Sequence, residues 1–88
     1  DLNTRGFALF EKLRLLRLEM AKKENVPPYI VFNDKTLVHM CVLVPLSKEE
    51  MLQVSGVGEN KLEKYGERFL EEIYAFTGGV KEKLYYGS

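Results

Sequence analysis

The chain has 88 residues, of which 45% are hydrophobic and 30% are charged, so it predicts one small globular domain rather than a disordered segment. Its Lys and Arg residues equal its Asp and Glu residues in number, which excludes a bulk field that would attract a polyanion. Any nucleic-acid binding must therefore come from a local patch. The single cysteine excludes an internal disulfide, and no apolar run is long enough to span a membrane.

The first predicted helix begins near Thr4, which we expect to be its N-cap. Apolar residues recur at spacings of four, three and four and predict a buried face made of Leu9, Leu13, Leu16 and Met20. Leu15 and Leu18 lie off that face, so they either are covered by another part of the domain or meet a neighbouring one. The two prolines at 27 and 28 end this helix.

The segment 29–32 has the composition of a strand, but four residues without a partner strand favour a helical turn or a packed loop. Asn33 or Asp34 then caps a helix that Pro45 ends. Ser47 and Glu50 form a predicted capping box that opens a short helix. One side of the first helix carries Leu37, Met40, Cys41 and Val44, and the short helix runs through Met51, Leu52 and Val54.

The last helix is predicted from about Glu59 to Phe76, and its buried stripe consists of Leu62, Tyr65, Phe69, Ile73 and Phe76. Gly66 inside this helix costs about 1 kcal/mol relative to Ala, which suggests that another helix crosses closely there. The pattern thus predicts an all-α bundle of four clear helices plus a helical turn near 28–32. We assign residues 1–79 to this domain and residues 80–88 to a tail that either docks or serves as a linker.

Catalysis has little support in this sequence. His39 is the only histidine, is predicted to face solvent, and has no recognisable triad partners. Metal binding would need more His or Cys, and no phosphate-binding GxxxxGK[ST] loop is present. We expect no activity, metal or cofactor in this domain alone.

Residues 56–58, Gly-Val-Gly, form the clearest candidate site. Gly56 and Gly58 bracket an apolar residue that can be buried while the backbone amides stay bare at a helix start, where the helix dipole favours an anion. A nucleic-acid phosphate is the leading candidate ligand. The alternative is that Gly56 only caps one helix and Gly58 only begins the next.

Three further features favour nucleic acid. Lys61, Lys64 and Arg68 recur at i, i+3 and i+7, although the neighbouring glutamates make a salt-bridged solvent face an equal alternative. Tyr29, stiffened by two prolines, could stack on an unpaired base if its ring faces outward, or pack into the core. Arg17, with Arg14, Lys22 and Lys23, gives the first helix a basic side.

The sequence resembles the HRDC domain (helicase and RNase D C-terminal domain), which is found in RecQ-type DNA helicases and in RNase D. The resemblance covers roughly residues 7–76. Its most specific part is the segment 26–34, VPPYIVFND, which points to the RecQ branch. Residues 36–37, 51–58, 61–62 and 65–66 match the family pattern in the same order.

The resemblance implies a five-helix bundle that binds single-stranded or branched DNA weakly and assists a bacterial helicase in DNA repair and recombination. In that family the tyrosine of the PPY segment, here Tyr29, is tied to single-strand binding, and Lys61 and Lys64 have basic counterparts. ATP and Mg²⁺ belong to other domains of a parent helicase, in the cytoplasm at the nucleoid. We expect a monomer that contacts DNA and other domains of the same helicase. The alternatives are a docking module and the RNA-binding domain of an exoribonuclease.

Overall fold

The computed structural model describes residues 1–87 and contains five helices, which confirms the predicted all-α bundle. The elements are α1 Thr4–Glu24, α2 Pro28–Val31, α3 Asp34–Leu43, α4 Lys48–Met51, α5 Glu59–Lys61, a π-helical turn Leu62–Gly66 and α6 Glu67–Thr77. The fifth helix runs without a break through three segments, α5, the π-helical turn and α6, and we call these together the C-terminal helix. Within residues 1–87 the only β-type pairing is an isolated bridge between Leu2 and Tyr85. None of these helices combines the length and apolar character needed to cross a bilayer.

The N-cap of helix α1 lies one residue earlier than the sequence predicted. The N-cap is Asn3 and not Thr4, because the Asn3 Oδ1 atom accepts a hydrogen bond from the Gly6 amide at 2.8 Å while Thr4 is already helical. The predicted inner face is buried at its leucines, and Met20 is half-buried beside them. Leu15 remains exposed, so the apolar excess of α1 is not covered by this domain.

The core is built around Phe32, which follows α2 and is fully buried. Its ring makes edge-to-face contacts with Tyr65 and Phe69, at centroid distances of 5.7 and 5.0 Å. Such pairs contribute about 0.5–1.5 kcal/mol beyond the burial of their area. The segment 28–32 is thereby fixed against the C-terminal helix and confirms the predicted helical turn.

The caps of the next two helices follow the predicted residues with one difference. Asn33 caps α3 by accepting from the Thr36 amide at 2.8 Å. The Ser47 hydroxyl accepts from the Glu50 amide at 3.2 Å, as a capping box requires. The Glu50 carboxylate, however, accepts from the Leu46 amide at 2.9 Å and not from the Ser47 amide, so the box is only half formed.

The expectation that another helix crosses at Gly66 is wrong. A Cβ atom built on Gly66 would lie 2.6 Å from Cδ1 of Leu62, and its three nearest neighbours all belong to that side chain. Gly66 closes the π-helical turn, where each residue bonds five positions along and the turn is wider than in an α-helix. The glycine therefore leaves room for a side chain of its own helix.

Residues 80–87 pack against the start of the chain, and Ser88 lies outside the described residues. Leu84 is fully buried, and its carbonyl oxygen accepts from the Asn3 amide at 2.9 Å. The Tyr86 amide donates to the Asp1 carbonyl oxygen at 2.8 Å. Lys81 donates to the carbonyl oxygen of Val44 at 2.9 Å and thereby satisfies the end of α3.

Replacing Gly6 with Ala tests this packing. The new Cβ would lie 2.1 Å from the Leu84 carbonyl oxygen, a backbone atom. We expect Gly6→Ala to lower the free energy of unfolding by about 1–3 kcal/mol, measured by urea denaturation. In a chain that ends at Lys83, the same change should cost much less, because the Leu84 carbonyl is gone and only the Leu2 Cβ atom, 3.0 Å away, remains close. Equal costs in both chains would contradict the packing.

A pH titration tests the two ion pairs that fasten residues 80–87. Lys81 holds the pKa of the Glu50 carboxyl below its usual value, and Arg5 does the same for Glu82. A carboxylate whose pKa is lower in the folded state stabilises above its unfolded pKa, and that contribution is lost as the pH falls through the folded pKa. We therefore expect the melting temperature to fall below about pH 4. The melting temperature of a Glu50→Gln/Glu82→Gln variant should fall less over the same pH range. A pH profile identical to that of the wild type would refute the role of these pairs.

Candidate nucleic-acid interface

Helix α2 presents Tyr29 to solvent. Pro27 is extended (φ −62°, ψ 147°) and Pro28 occupies the first helical position, where its fixed φ suits a helix. One side of this single turn is buried through Val31 and the adjacent Phe32, so the other side must face outward. Tyr29 is 66% exposed, and the alternative of a core tyrosine is wrong.

The exposed side of α2 borders a shallow groove. Ile30 forms one wall, and the opposite wall comes from the first turns of the C-terminal helix. The groove is lined by Ile30, Asn60, Lys61, Glu63, Lys64 and Tyr65. Two of the predicted lysines thus lie in the same groove as the residue next to Tyr29. We call this surface, together with Tyr29, the α2 groove.

Lys61 is the available cation of the α2 groove. Its Nζ atom lies 5.8 Å from the centroid of the Phe32 ring, within the range of a cation–π contact. Within residues 1–87 it has no ion pair, whereas Lys64 is paired. Its charge is therefore open to an external anion.

Lys64 is held by a carboxylate that sequence reasoning missed. Its Nζ atom lies 3.4 Å from the Glu24 Oε1 atom, and the same oxygen accepts the Tyr65 hydroxyl at 2.7 Å. The Tyr65 hydrogen bond, followed by Lys64, lowers the pKa of the Glu24 carboxyl. Glu24 in turn raises the pKa of Lys64, while burial and then the Glu24 hydrogen bond raise the pKa of Tyr65.

Arg68 is not brought to the α2 groove. Its Nη1 atom lies 3.3 Å from Glu72 and 3.9 Å from Glu71, so the salt-bridged solvent face is correct for this residue. It lines a separate groove between α1 and α6 that includes Lys12 and Leu15. The π-helical turn between residues 62 and 66 widens the helix, so the spacing i, i+3, i+7 does not keep one stripe.

Arg17 is buried and not part of an exposed basic side. Only 9% of the residue is accessible. Its Nη1 atom donates to the Phe32 carbonyl oxygen at 3.1 Å and to the Asp34 carboxylate at 2.7 Å. Sequence reasoning proposed Arg17 for nucleic-acid contact, but its guanidinium is used inside the fold to join α1 to the start of α3.

The two glycines of the Gly-Val-Gly turn have different surroundings. Gly56 has φ +89°, and a Cβ on it would lie 2.2 Å from the Thr36 hydroxyl oxygen, so its backbone packs on α3. Val57 is buried as predicted. Only Gly58 has open space where a Cβ would be, and it begins α5 without a side-chain cap. Both glycines are exposed, so the backbone is accessible at each, but only Gly58 is also open in the direction of a Cβ.

His39 fixes this turn from α3. It is half-buried rather than solvated, because its Nδ1 atom accepts a hydrogen bond from the Ser55 amide at 2.8 Å. The bond joins residues that are 16 positions apart, and the sequence carries no signal of it.

The Cys41 thiol is fully buried, which raises its pKa to about 12 and leaves it inert. Residues 1–87 contain no cluster of His, Cys, Asp and Glu that could hold a metal.

Comparison with known proteins agrees with this architecture. The family model of the HRDC domain matches residues 6–73, which is most of the chain. The chain belongs to the HRDC domain family. A solved structure described as D. radiodurans RecQ HRDC domain 3 superposes with a TM-score of 0.77 at 36% identity, covering 80% of this chain and 92% of that one.

The curated relatives are much longer proteins. The ATP-dependent DNA helicase RecQ of Haemophilus influenzae is 56% identical over 65 residues, which are 74% of this chain and 10% of that protein. The ATP-dependent DNA helicase RecQ of Bacillus subtilis is 47% identical over 74 residues, which are 84% of this chain and 12% of that protein. The chain thus spans about a tenth of the length of the relatives that it matches.

Replacing Arg17 tests its role as an internal clamp. Arg17→Met keeps the apolar stem but leaves the buried Phe32 carbonyl without its donor. We expect a loss of about 1–3 kcal/mol in the free energy of unfolding, measured by urea denaturation. Asp34→Asn is the matched control, because this exposed partner should contribute less than about 1 kcal/mol. A neutral Arg17→Met variant would contradict the clamp.

Proposed function

We propose that this domain is an accessory nucleic-acid-binding module of a RecQ-type ATP-dependent DNA helicase. In this proposal it binds single-stranded or branched DNA weakly through the α2 groove. The proposal is carried by the exposed ring of Tyr29 and by its chain neighbour Ile30, which lines one groove with Lys61 and Lys64. Membership of the HRDC family and the names of the relatives support the helicase context.

The proposed contacts divide between stacking and charge. An unpaired base stacks on Tyr29, which contributes about 1–3 kcal/mol and tolerates any sequence. Phosphates of the same strand meet Lys61, Lys64 and the open backbone at Gly58. Duplex DNA has no unstacked base to offer, so the site favours single strands and the open arms of branched substrates.

The proposed affinity is low, since the chain has no net charge and the groove offers two lysines. If both lysines neutralise a phosphate fully, the slope against log salt for single strands reaches its limit of about −1.4. A rise from ~50 to ~200 mM salt would then weaken binding only about sevenfold. A tether to motor domains compensates by supplying a high effective concentration.

The rest of the proposed mechanism belongs to the parent protein. ATP and Mg²⁺ would bind in its motor domains, and hydrolysis would drive strand separation there. The HRDC domain would hold a displaced strand while the motor steps, during DNA repair and recombination at the bacterial nucleoid in the cytoplasm. In this proposal the domain itself binds the strand and supplies no catalytic group.

A docking module is the second candidate, and one observation favours it. Leu15 is 58% exposed on α1 and lines the groove against α6 that also contains Arg68. Leu18 lies one turn further along α1 and is also exposed. Another domain of the same helicase could cover this surface. Tyr86 at the end of the chain offers a second exposed aromatic ring.

Titration of a fluorescein-labelled 15-nucleotide oligothymidine at low salt tests the proposal. Tyr29→Ala should weaken binding at least fivefold, because loss of a stack costs about 1 kcal/mol or more. The fold should be kept, since the Tyr29 ring is exposed. Tyr86→Ala is the control, because it removes an equally exposed ring from the other end of the chain.

Two results would redirect the assignment. If the wild-type domain does not bind the oligonucleotide at low salt, the docking module becomes the better function, and Leu15→Ser should then weaken its association with the motor domains. If unlabelled oligouridine competes more strongly than oligothymidine, RNA is the ligand, as expected for a domain of an exoribonuclease.

A further inference from the structure

Glu24 occupies a position that local electrostatics disfavour. It is the last residue of α1, where the helix dipole is negative and a cation is preferred. A carboxylate at this end needs compensation from elsewhere in the fold. Here the compensation comes from the Tyr65 hydroxyl and the Lys64 ammonium, which both contact Glu24 Oε1.

The contact places an anion of the protein beside a cation of the α2 groove. The Lys64 Nζ atom and Glu24 Oε1 are 3.4 Å apart, and both side chains remain partly exposed. A phosphate oxygen of a bound strand would need the same approach to Nζ. Lys61, on the preceding turn, has no such internal partner within the described chain. The two lysines of the groove are thus unequal.

We propose that Glu24 is a built-in competitor for Lys64, which lowers the affinity of the α2 groove for nucleic-acid phosphate. This inference rests on the proposed function and adds its regulation. In the free domain, Lys64 pairs with Glu24. In the complex, Lys64 turns to a phosphate while the Tyr65 hydroxyl keeps the carboxylate in place, so the bound strand faces a fixed negative charge.

The physical effect is a smaller net gain on binding. Lys61 contributes its full attraction to a phosphate, whereas Lys64 exchanges one anion for another. Since an exposed ion pair is weak, the competition is modest and is easily overcome when a tether holds the strand nearby. Glu24 therefore lowers the affinity of the α2 groove moderately and does not prevent binding.

Glu24→Gln removes the charge and keeps an oxygen that can accept the Tyr65 hydroxyl. With the labelled 15-nucleotide oligothymidine at low salt, we expect affinity to rise about two- to fivefold. The slope against log salt should come closest to the value of about −1.4 for two lysines, whereas the slope of the wild type should be shallower, because its Lys64 exchanges one anion for another. Glu24→Ala removes the charge without introducing a side-chain amide, and it should also raise the affinity.

Glu11→Gln is the matched control, because it makes the same change in net charge on the same helix. Glu11 pairs with Arg14 and lies about 20 Å from Glu24 along α1. Its affinity should stay close to that of the wild type. In a Lys64→Met background, Glu24→Gln should lose most of its effect, because the lysine that it releases is gone.

The outcomes separate the two proposals. If the wild type binds and Glu24→Gln gains no more than Glu11→Gln, the competitor is overturned while the DNA-binding function stands. An equal gain in the Lys64→Met background also overturns it, since general repulsion would explain the result. If neither the wild type nor Glu24→Gln binds the oligonucleotide, the proposed function fails and the competitor fails with it.

Discussion

The burial of Phe32 is the constraint on which the surface chemistry depends. Its ring is enclosed by Tyr65 and Phe69, and its carbonyl oxygen is bound by the buried Arg17. With two prolines before Tyr29, both ends of a single helical turn are fixed. The turn then has one side in the core and one side in solvent, so the backbone that carries the exposed Tyr29 is fixed by the fold.

Most of the basic side chains of this neutral chain form ion pairs with its own carboxylates. Every arginine has a carboxylate partner, and three of the lysines do as well. The pairs are Arg5–Glu82, Arg14–Glu11, Arg17–Asp34, Arg68–Glu72, Lys48–Glu67, Lys64–Glu24 and Lys81–Glu50. A local difference between neighbouring lysines therefore decides the field in the α2 groove, and Lys61 dominates it. The weak nucleic-acid binding and the competing role of Glu24 that we propose both rest on this arrangement.

Local rules predicted the bundle because its elements are specified by short-range chemistry. The prolines at 27 and 28, the Asn33 cap and the Ser47 cap act within a few residues of themselves. Leucine spacing along α1 indicated its buried face correctly for the same reason. Glu24 was missed although a signal existed, since a carboxylate at a helix C-terminus conflicts with the dipole and suggests a tertiary partner.

The sequence by itself determined the helices, their inner faces, the rigid turn at Tyr29 and the family, because periodicity, caps and a specific motif are local properties. Only the tertiary structure decided which cations stay available. Arg17 turns inward because the buried Phe32 carbonyl needs a donor, and Arg68 leaves the lysine groove because a π-helical turn changes the helical phase. Both outcomes depend on contacts or geometry that residue spacing in an ideal helix does not contain.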